Sequence, residues 1–252
     1  MHFGQTLVVI RKIIMKIFRK IRQAIIKEGN LKKYLLYAIG EILLVMIGIL
    51  LAFQVNSWNT QRIKDKVERK SYQNINRQIN DDKNVISGII DYNNLYYNQY
   101  NYANQLIKRN DHSKIDTLGK IALNLYKYSD YNRSSNIYQN LINSGEIILL
   151  NNRDIIEQIQ RLEETYIYMN RMEKIHFQVI MEVASLDIHN SIKFSDGSVR
   201  KPEKLFGVDF QNHFISMMGI MIEKDEIYNR AINEIELITK LIDEELNSHT
   251  EN

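Results

Sequence analysis

From Tyr34 to Phe53 the chain reads Tyr-Leu-Leu-Tyr-Ala-Ile-Gly-Glu-Ile-Leu-Leu-Val-Met-Ile-Gly-Ile-Leu-Leu-Ala-Phe, 20 residues with Glu41 as the only charge. Coiled as an α-helix at ~1.5 Å per residue, such a run is about 30 Å long, the thickness of a bilayer's hydrocarbon core. Gln54, Asn56 and Ser57 close it. Tyr34 and Tyr37 at one end and Trp58 at the other are amphipathic rings suited to the two membrane interfaces. The competing reading, a core helix of a soluble protein, fits poorly with the cluster of cations directly before the run. The expectation is a transmembrane helix over residues 34–55.

The net charge of +3 conceals an uneven distribution. Residues 1–33 carry nine basic side chains (Arg11, Lys12, Lys16, Arg19, Lys20, Arg22, Lys27, Lys32 and Lys33) against Glu28 alone. The remainder carries 24 basic and 29 acidic residues. The positive-inside bias then places the N-terminus in the cytoplasm and residues 56–252 outside it. The apolar run exceeds a signal peptide's h-region and no small-x-small cleavage site follows Phe53, so the expectation is an uncleaved signal anchor in the inner membrane. Ile10, Ile13, Ile14, Ile17, Phe18, Ile21 and Ile25 recur at three-to-four spacing among the cations, the pattern of a basic amphipathic helix lying on anionic lipid headgroups. That apolar face, tethered beside a membrane span, favours lipid over nucleic acid as the partner.

Within the span, Glu41, Leu44, Gly48 and Ala52 share one helical face. Small residues there let a second helix approach closely, and a protonated Glu41 can hydrogen-bond across the contact, giving a homo-oligomer. The alternative has Glu41 reaching to the cytoplasmic surface to meet Lys32, Lys33 or lipid headgroups. Both readings stand at this point.

Met15-Lys-Ile-Phe-Arg-Lys-Ile-Arg-Gln23 and the stretch from Lys33 to Asn59 resemble the opening of the DUF6090-type family, single-pass membrane proteins of Bacteroidetes and Flavobacteria. A looser likeness occurs at Tyr138-Gln-Asn-Leu-Ile-Asn-Ser-Gly-Glu-Ile-Ile-Leu-Leu-Asn-Asn152, a Tyr-x-x-Leu-x-x-Ser-Gly pattern followed by an apolar stretch. The resemblance implies an inner-membrane protein with a helical extracytoplasmic domain and brings no catalytic residues. It also implies that the family's usual start corresponds to Met15.

Beyond the span, apolar residues recur with helical period. Ile75, Ile79, Ile86, Ile89, Tyr96, Tyr100, Ala103 and Ile107 form one seam, with Asp82 and Asn93 on it. Ile155, Ile159, Leu162, Tyr166, Met169, His176, Ile180 and Val183 form a second. Phe210, Phe214, Met217, Met221, Tyr228, Ala231, Ile235, Ile238 and Ile242 form a third. Short helices are expected at residues 115–128 and 135–143, with Ser144-Gly145 as a stop. Asp196-Gly197 between apolar residues is a short-hairpin signal, so residues 191–207 read as a loop or small hairpin. The predicted fold is all-α: an N-terminal transmembrane helix, then an extracytoplasmic bundle of long antiparallel helices.

The chemistry of sites is sparse. There is no cysteine, which excludes disulfides, thiol nucleophiles and Cys-containing metal sites. Met169, Met172 and His176, or His213, Met217 and Met221, could in principle suit Cu(I), but they lie on the apolar stripes and read as core filling. The carboxylate pairs Asp81-Asp82, Glu163-Glu164 and Glu244-Glu245 diverge by about 100° on a helix and form no dyad. Phosphate-binding and nucleophile-elbow motifs are missing. The expectation is a structural or interaction protein without cofactor or catalytic residues, in contact with an unidentified membrane or periplasmic protein. An extracytoplasmic ligand sensor signalling through a partner is the alternative, since 33 cytoplasmic residues leave no room for an output domain.

Overall fold

The computed structural model describes residues 31–131 and 137–248, and all its regular elements are helical. The chain divides into two compact units, Met1–Lys64 and Asp65–Asn252. Helix α1, Leu31–Lys108, is a single unbroken element, where the sequence left room for a break after the span. In the first unit, the large aliphatic and Phe side chains from Leu35 (63% exposed) to Phe53 (71% exposed) all stand exposed. At the polar end of this stretch, Thr60 Oγ1 donates to the Asn56 carbonyl at 2.9 Å, and the Arg62 guanidinium lies 5.9 Å from the Trp58 ring centre.

In the second unit, α1 is followed by a 3-10 turn at His112–Lys114, α2 (Ile115–Leu123), a 3-10 turn at Asn124–Tyr126, α3 (Ile137–Ser144) and a 3-10 turn at Glu146–Leu149. Then come α4 (Arg153–Val179), a π-helical turn at Ile180–Ala184, α5 (Ser185–Ser191), α6 (Pro202–Leu205) and α7 (Val208–Ser248). Local chemistry sets several of these boundaries. Asn152 caps α4 by accepting from the Asp154 and Ile155 amides at 3.1 and 3.2 Å, and Asp154 adds a charge that suits the helix N-terminus. Gly145 ends α3 in the left-handed region, φ +72°, where a side chain is disfavoured. Pro202 occupies the first turn of α6, where its missing N–H has no partner to lose.

Two apolar cores form. One gathers Tyr72, Ile75, Ile79 and Ile86 of α1, Ile155 to Met172 of α4, and Ile227 to Ile242 of α7. The other gathers Tyr100, Ala103 and Leu106 of α1 with α2, Ile180 to Ile192, and Phe210 to Met221 of α7. Polar pairs fix the register of α1 on α7: Asn76 to Asp243, Lys83 to Glu236, Asn93 to Asp225, and Gln211 to Asn104. Numbers rise along one helix as they fall along the other.

Residues 191–207 form the loop that was one of the two expected forms: Ile192 and Val199 make an isolated antiparallel bridge around Gly197 (φ +72°), and a single helical turn follows at Pro202–Leu205. One detail differs from expectation. Val183, expected on the inner seam, is 55% exposed, and Ala184 is buried in its place. The buried positions His176, Ile180, Ala184, Ile188 and Ile192 advance by four each time. In a regular α-helix each such step drifts about 40° around the axis. The wider π turn absorbs that drift and holds the face inward.

Candidate functional site

Three features qualify as sites. The first is the apolar segment of α1. Leu44 is 58% exposed, Gly48 has open space where a Cβ would stand, and Ala52 lines a shallow groove with Leu51, Val55, Asn56 and Asn59. Glu41 and Tyr37 are half-buried; Lys32 and Trp58 are exposed. Arg11, Lys12, Lys16, Arg19, Lys20, Arg22 and Lys27 lie outside the described residues, as do the side chains of Lys33 and Tyr34.

The second is the stretch Tyr138–Asn152, which docks onto α1. Glu68, 3% exposed, accepts from the Asn151 backbone N–H at 2.6 Å and the Asn151 carboxamide at 2.7 Å. The Tyr72 hydroxyl donates to Glu68 at 3.2 Å and accepts from the Asn152 amide at 3.3 Å. Burial, with Glu68 and Glu245 nearby, pushes the Tyr72 phenol above its ordinary range. Ser71 donates to Glu146 at 2.8 Å, and Asn152 to Glu245 at 2.6 Å. The Ser-Gly turn and the Asn-Asn pair are therefore a clamp: the glycine reverses the chain, and the two asparagines fasten it.

The third is a polar layer between the two cores. Lys224 of α7 is 1% exposed, and its ammonium donates to the Ser129 carbonyl at 3.1 Å and the Ser129 hydroxyl at 2.7 Å. Glu173 of α4, 3% exposed, accepts from the Tyr228 hydroxyl at 2.5 Å and the Tyr131 amide at 2.8 Å through one oxygen. Ser129 donates to Asn93, whose amide donates to Asp225 at 3.0 Å. His176, one turn past Glu173, is fully buried, and neither ring nitrogen has a hydrogen-bond partner.

Burial dominates the electrostatics of this layer. It lowers the Lys224 ammonium to about 8, against the pull of Glu173, Asp225 and Asp130. It raises the Glu173 carboxyl, opposed by the hydrogen bonds from Tyr228 and Tyr131 and by the Lys224 charge. It lowers the His176 imidazole to about 3, with Lys224 adding to the effect. A lysine near neutrality is the profile of a nucleophile or base. In this conformation, however, its nitrogen is spent on Ser129 and shut away from solvent, so the arrangement stores charge and offers no reaction centre.

The sequence reading placed Asn93, His176 and Tyr228 on inner seams, weighed His176 only as a Cu(I) ligand before reading it as core filling, and passed over Glu173, Lys224 and Ser129. The signal that was available is a polar residue at an inward position on each of three helices, Asn93, Glu173 and Lys224. Met169 and Met172 fall in the Tyr72 core, and Met217 and Met221 in the Tyr100 core. Among the described residues no group of His, Asp and Glu is arranged to hold a metal ion. His213 instead meets Asp187 at 2.8 Å.

No family model, curated protein or solved structure matches this chain.

Proposed function

We propose that the chain is a single-pass inner-membrane protein that carries a helical extracytoplasmic domain, a bundle of long antiparallel helices, and acts as a structural or interaction protein rather than an enzyme. The observation that supports this reading is the contrast within α1. Its stretch from Leu35 to Phe53 exposes every large apolar side chain, whereas Asp65–Asn252 buries two cores of its own. A helix whose large apolar side chains stand exposed almost all round is suited to lipid. The basic head and the likeness of residues 15–59 to the DUF6090-type family favour the same placement, with the N-terminus cytoplasmic. Glu41, Leu44, Gly48 and Ala52 offer a face for self-association, and Tyr34, Tyr37 and Trp58 act as interface anchors.

Reporter fusions after Asn252 test the topology. A reporter that works only outside the cytoplasm is expected to be active there, and activity of a cytoplasm-only reporter overturns the orientation. Crosslinking in membranes tests self-association, which Gly48→Leu and Glu41→Ala are expected to reduce. The second reading, an extracytoplasmic ligand sensor, is favoured by the buried polar layer, since an unevenly satisfied interior is easier to rearrange than a uniform apolar one. Thermal stabilisation of the detergent-solubilised protein by one class of small molecule would support it.

A further inference from the structure

Three independent features coincide at one level of the Asp65–Asn252 unit. The apolar interior is interrupted there: the Tyr72 core ends on α4 at Met172 and on α7 at Ile227, while the Tyr100 core begins at Ile180 and ends at Met221. The polar residues in that gap are unevenly satisfied. Glu173 Oε2 and both His176 ring nitrogens are buried without a hydrogen-bond partner, and such groups are costly to keep dry. Immediately beyond, α4 gives way to the π turn, where the Ile180 N–H is shared between the carbonyls of His176 and Phe177. Interrupted packing, unmet polar groups and a helix irregularity mark the weakest cross-section of the unit.

We propose that the layer of Glu173, His176 and Lys224 is an acid-operated opening plane, at which the Tyr100 core loosens while the Tyr72 core stays packed. The trigger is the charge of His176. A proton on the imidazole would put a second cation into a dry interior that already holds the Lys224 ammonium. The other titratable groups of the layer bear on its two charges or stand at the ring: Asp225 of α7 and Asp130 act on Lys224, Tyr228 of α7 and Tyr131 hydrogen-bond Glu173 of α4, and the Tyr128 ring stands edge-on to His176 with ring centres 6.4 Å apart. Helix α1 supplies Asn93, which carries no charge. Lys224 is also the bolt of the layer, since it fastens the Ser129 backbone to α7.

The sign follows from linkage. His176 binds a proton at about 3 when buried and at about 6.5 when opened, so opening takes up a proton between those limits and becomes easier as pH falls. Glu173 works the other way, because its raised carboxyl favours the closed form in acid. Taken alone, His176 increases the opening constant about 30-fold between pH 7.5 and pH 5.

Hydrogen–deuterium exchange on the full chain in detergent micelles, corrected for intrinsic rates at the two pH values, tests this. Peptides from residues 112–126, 180–192 and 205–221 are expected to open roughly 10- to 30-fold more at pH 5, with little change in residues 137–172 and 227–242. His176→Leu is expected to abolish the difference. Opening of both sets in step, or an acid response that survives His176→Leu, overturns the proposal. Should His176→Leu weaken protection everywhere, His176→Gln provides the second reading: a polar side chain that cannot take up a proton must also lose the acid response, and a response that survives it overturns the proposal.

Discussion

Glu68 shows how much a single buried carboxylate can organise. Its two oxygens hold the backbone and side chain of Asn151, and the Tyr72 hydroxyl adds a third hydrogen bond. Glu68→Ala would take the acceptor from the buried Tyr72 hydroxyl and from both Asn151 donors, and we expect a loss of about 1–3 kcal/mol, read from chemical denaturation in detergent. Glu68→Gln keeps the shape but turns an NH2 toward a donor, so it should recover only part of that loss. Gly119 is a steric counterpart. A Cβ there would stand 2.6 Å from Val199 Cγ2 and 3.2 Å from the Gly197 carbonyl, so the glycine admits the 193–200 loop against α2. Gly119→Ala is expected to cost about 1–3 kcal/mol. Neither residue announces itself in the sequence. Glu68 lies in a charged stretch that reads as a solvated face, and Gly119 sits mid-helix, where glycine is merely unfavourable.

Among the elements, α4 with its π turn and α5 is the most informative. Its first six expected inward positions, Ile155 through His176, are all buried, and Ile180 follows. The seam then continues at Ala184 and leaves Val183 in solvent. This makes a sharp prediction: Val183→Asp should change stability by less than about 0.5 kcal/mol, whereas Ala184→Asp should destabilise by several kcal/mol, because it buries a carboxylate in the Tyr100 core. An unbroken α pattern would give Val183→Asp a substantial cost. The cap at the other end is testable in the same assay, with Asn152→Ala losing about 1 kcal/mol from the start of α4. The glycine stop at Gly145 was legible because its chemistry is local, whereas the Asn152 cap went unread. The π turn was not legible, since nothing in a short window distinguishes a four-residue step that an α-helix tolerates from one that it must widen to follow.

For the whole molecule, the contrast between the two units carries the functional reading. Both cores lie within Asp65–Asn252, so a chain beginning at Asp65 is expected to remain in aqueous solution with helical circular dichroism. The full chain should stay with the membrane pellet after alkaline carbonate extraction. Release of the full chain by carbonate would contradict the proposed span. Stability of the second unit should also fall as pH drops below about 6.5, the direction set by His176, whose buried imidazole takes up a proton only near 3. At pH 5 its share is about 2 kcal/mol, and a denaturation series in wild type and His176→Leu measures it.

What the sequence alone determined rests on short-range periodicity and composition. The 20-residue apolar run, the basic residues before it, the helical seams and the glycine stop at Gly145 are each readable within a few turns of chain. Helix content and most inward positions follow from them, because an apolar stripe at helical spacing has one way to hide. Only the tertiary structure decided where polar residues on separate helices meet. Asn93, Ser129, Glu173 and Lys224 are far apart in sequence, and each alone is an ordinary surface residue type. Packing α1, α4 and α7 together brings them to one level and withdraws them from water. That burial, a property of the assembled helices and of no single one, moves the proton affinities of Glu173 and Lys224 and sets the plane at which the domain is expected to open.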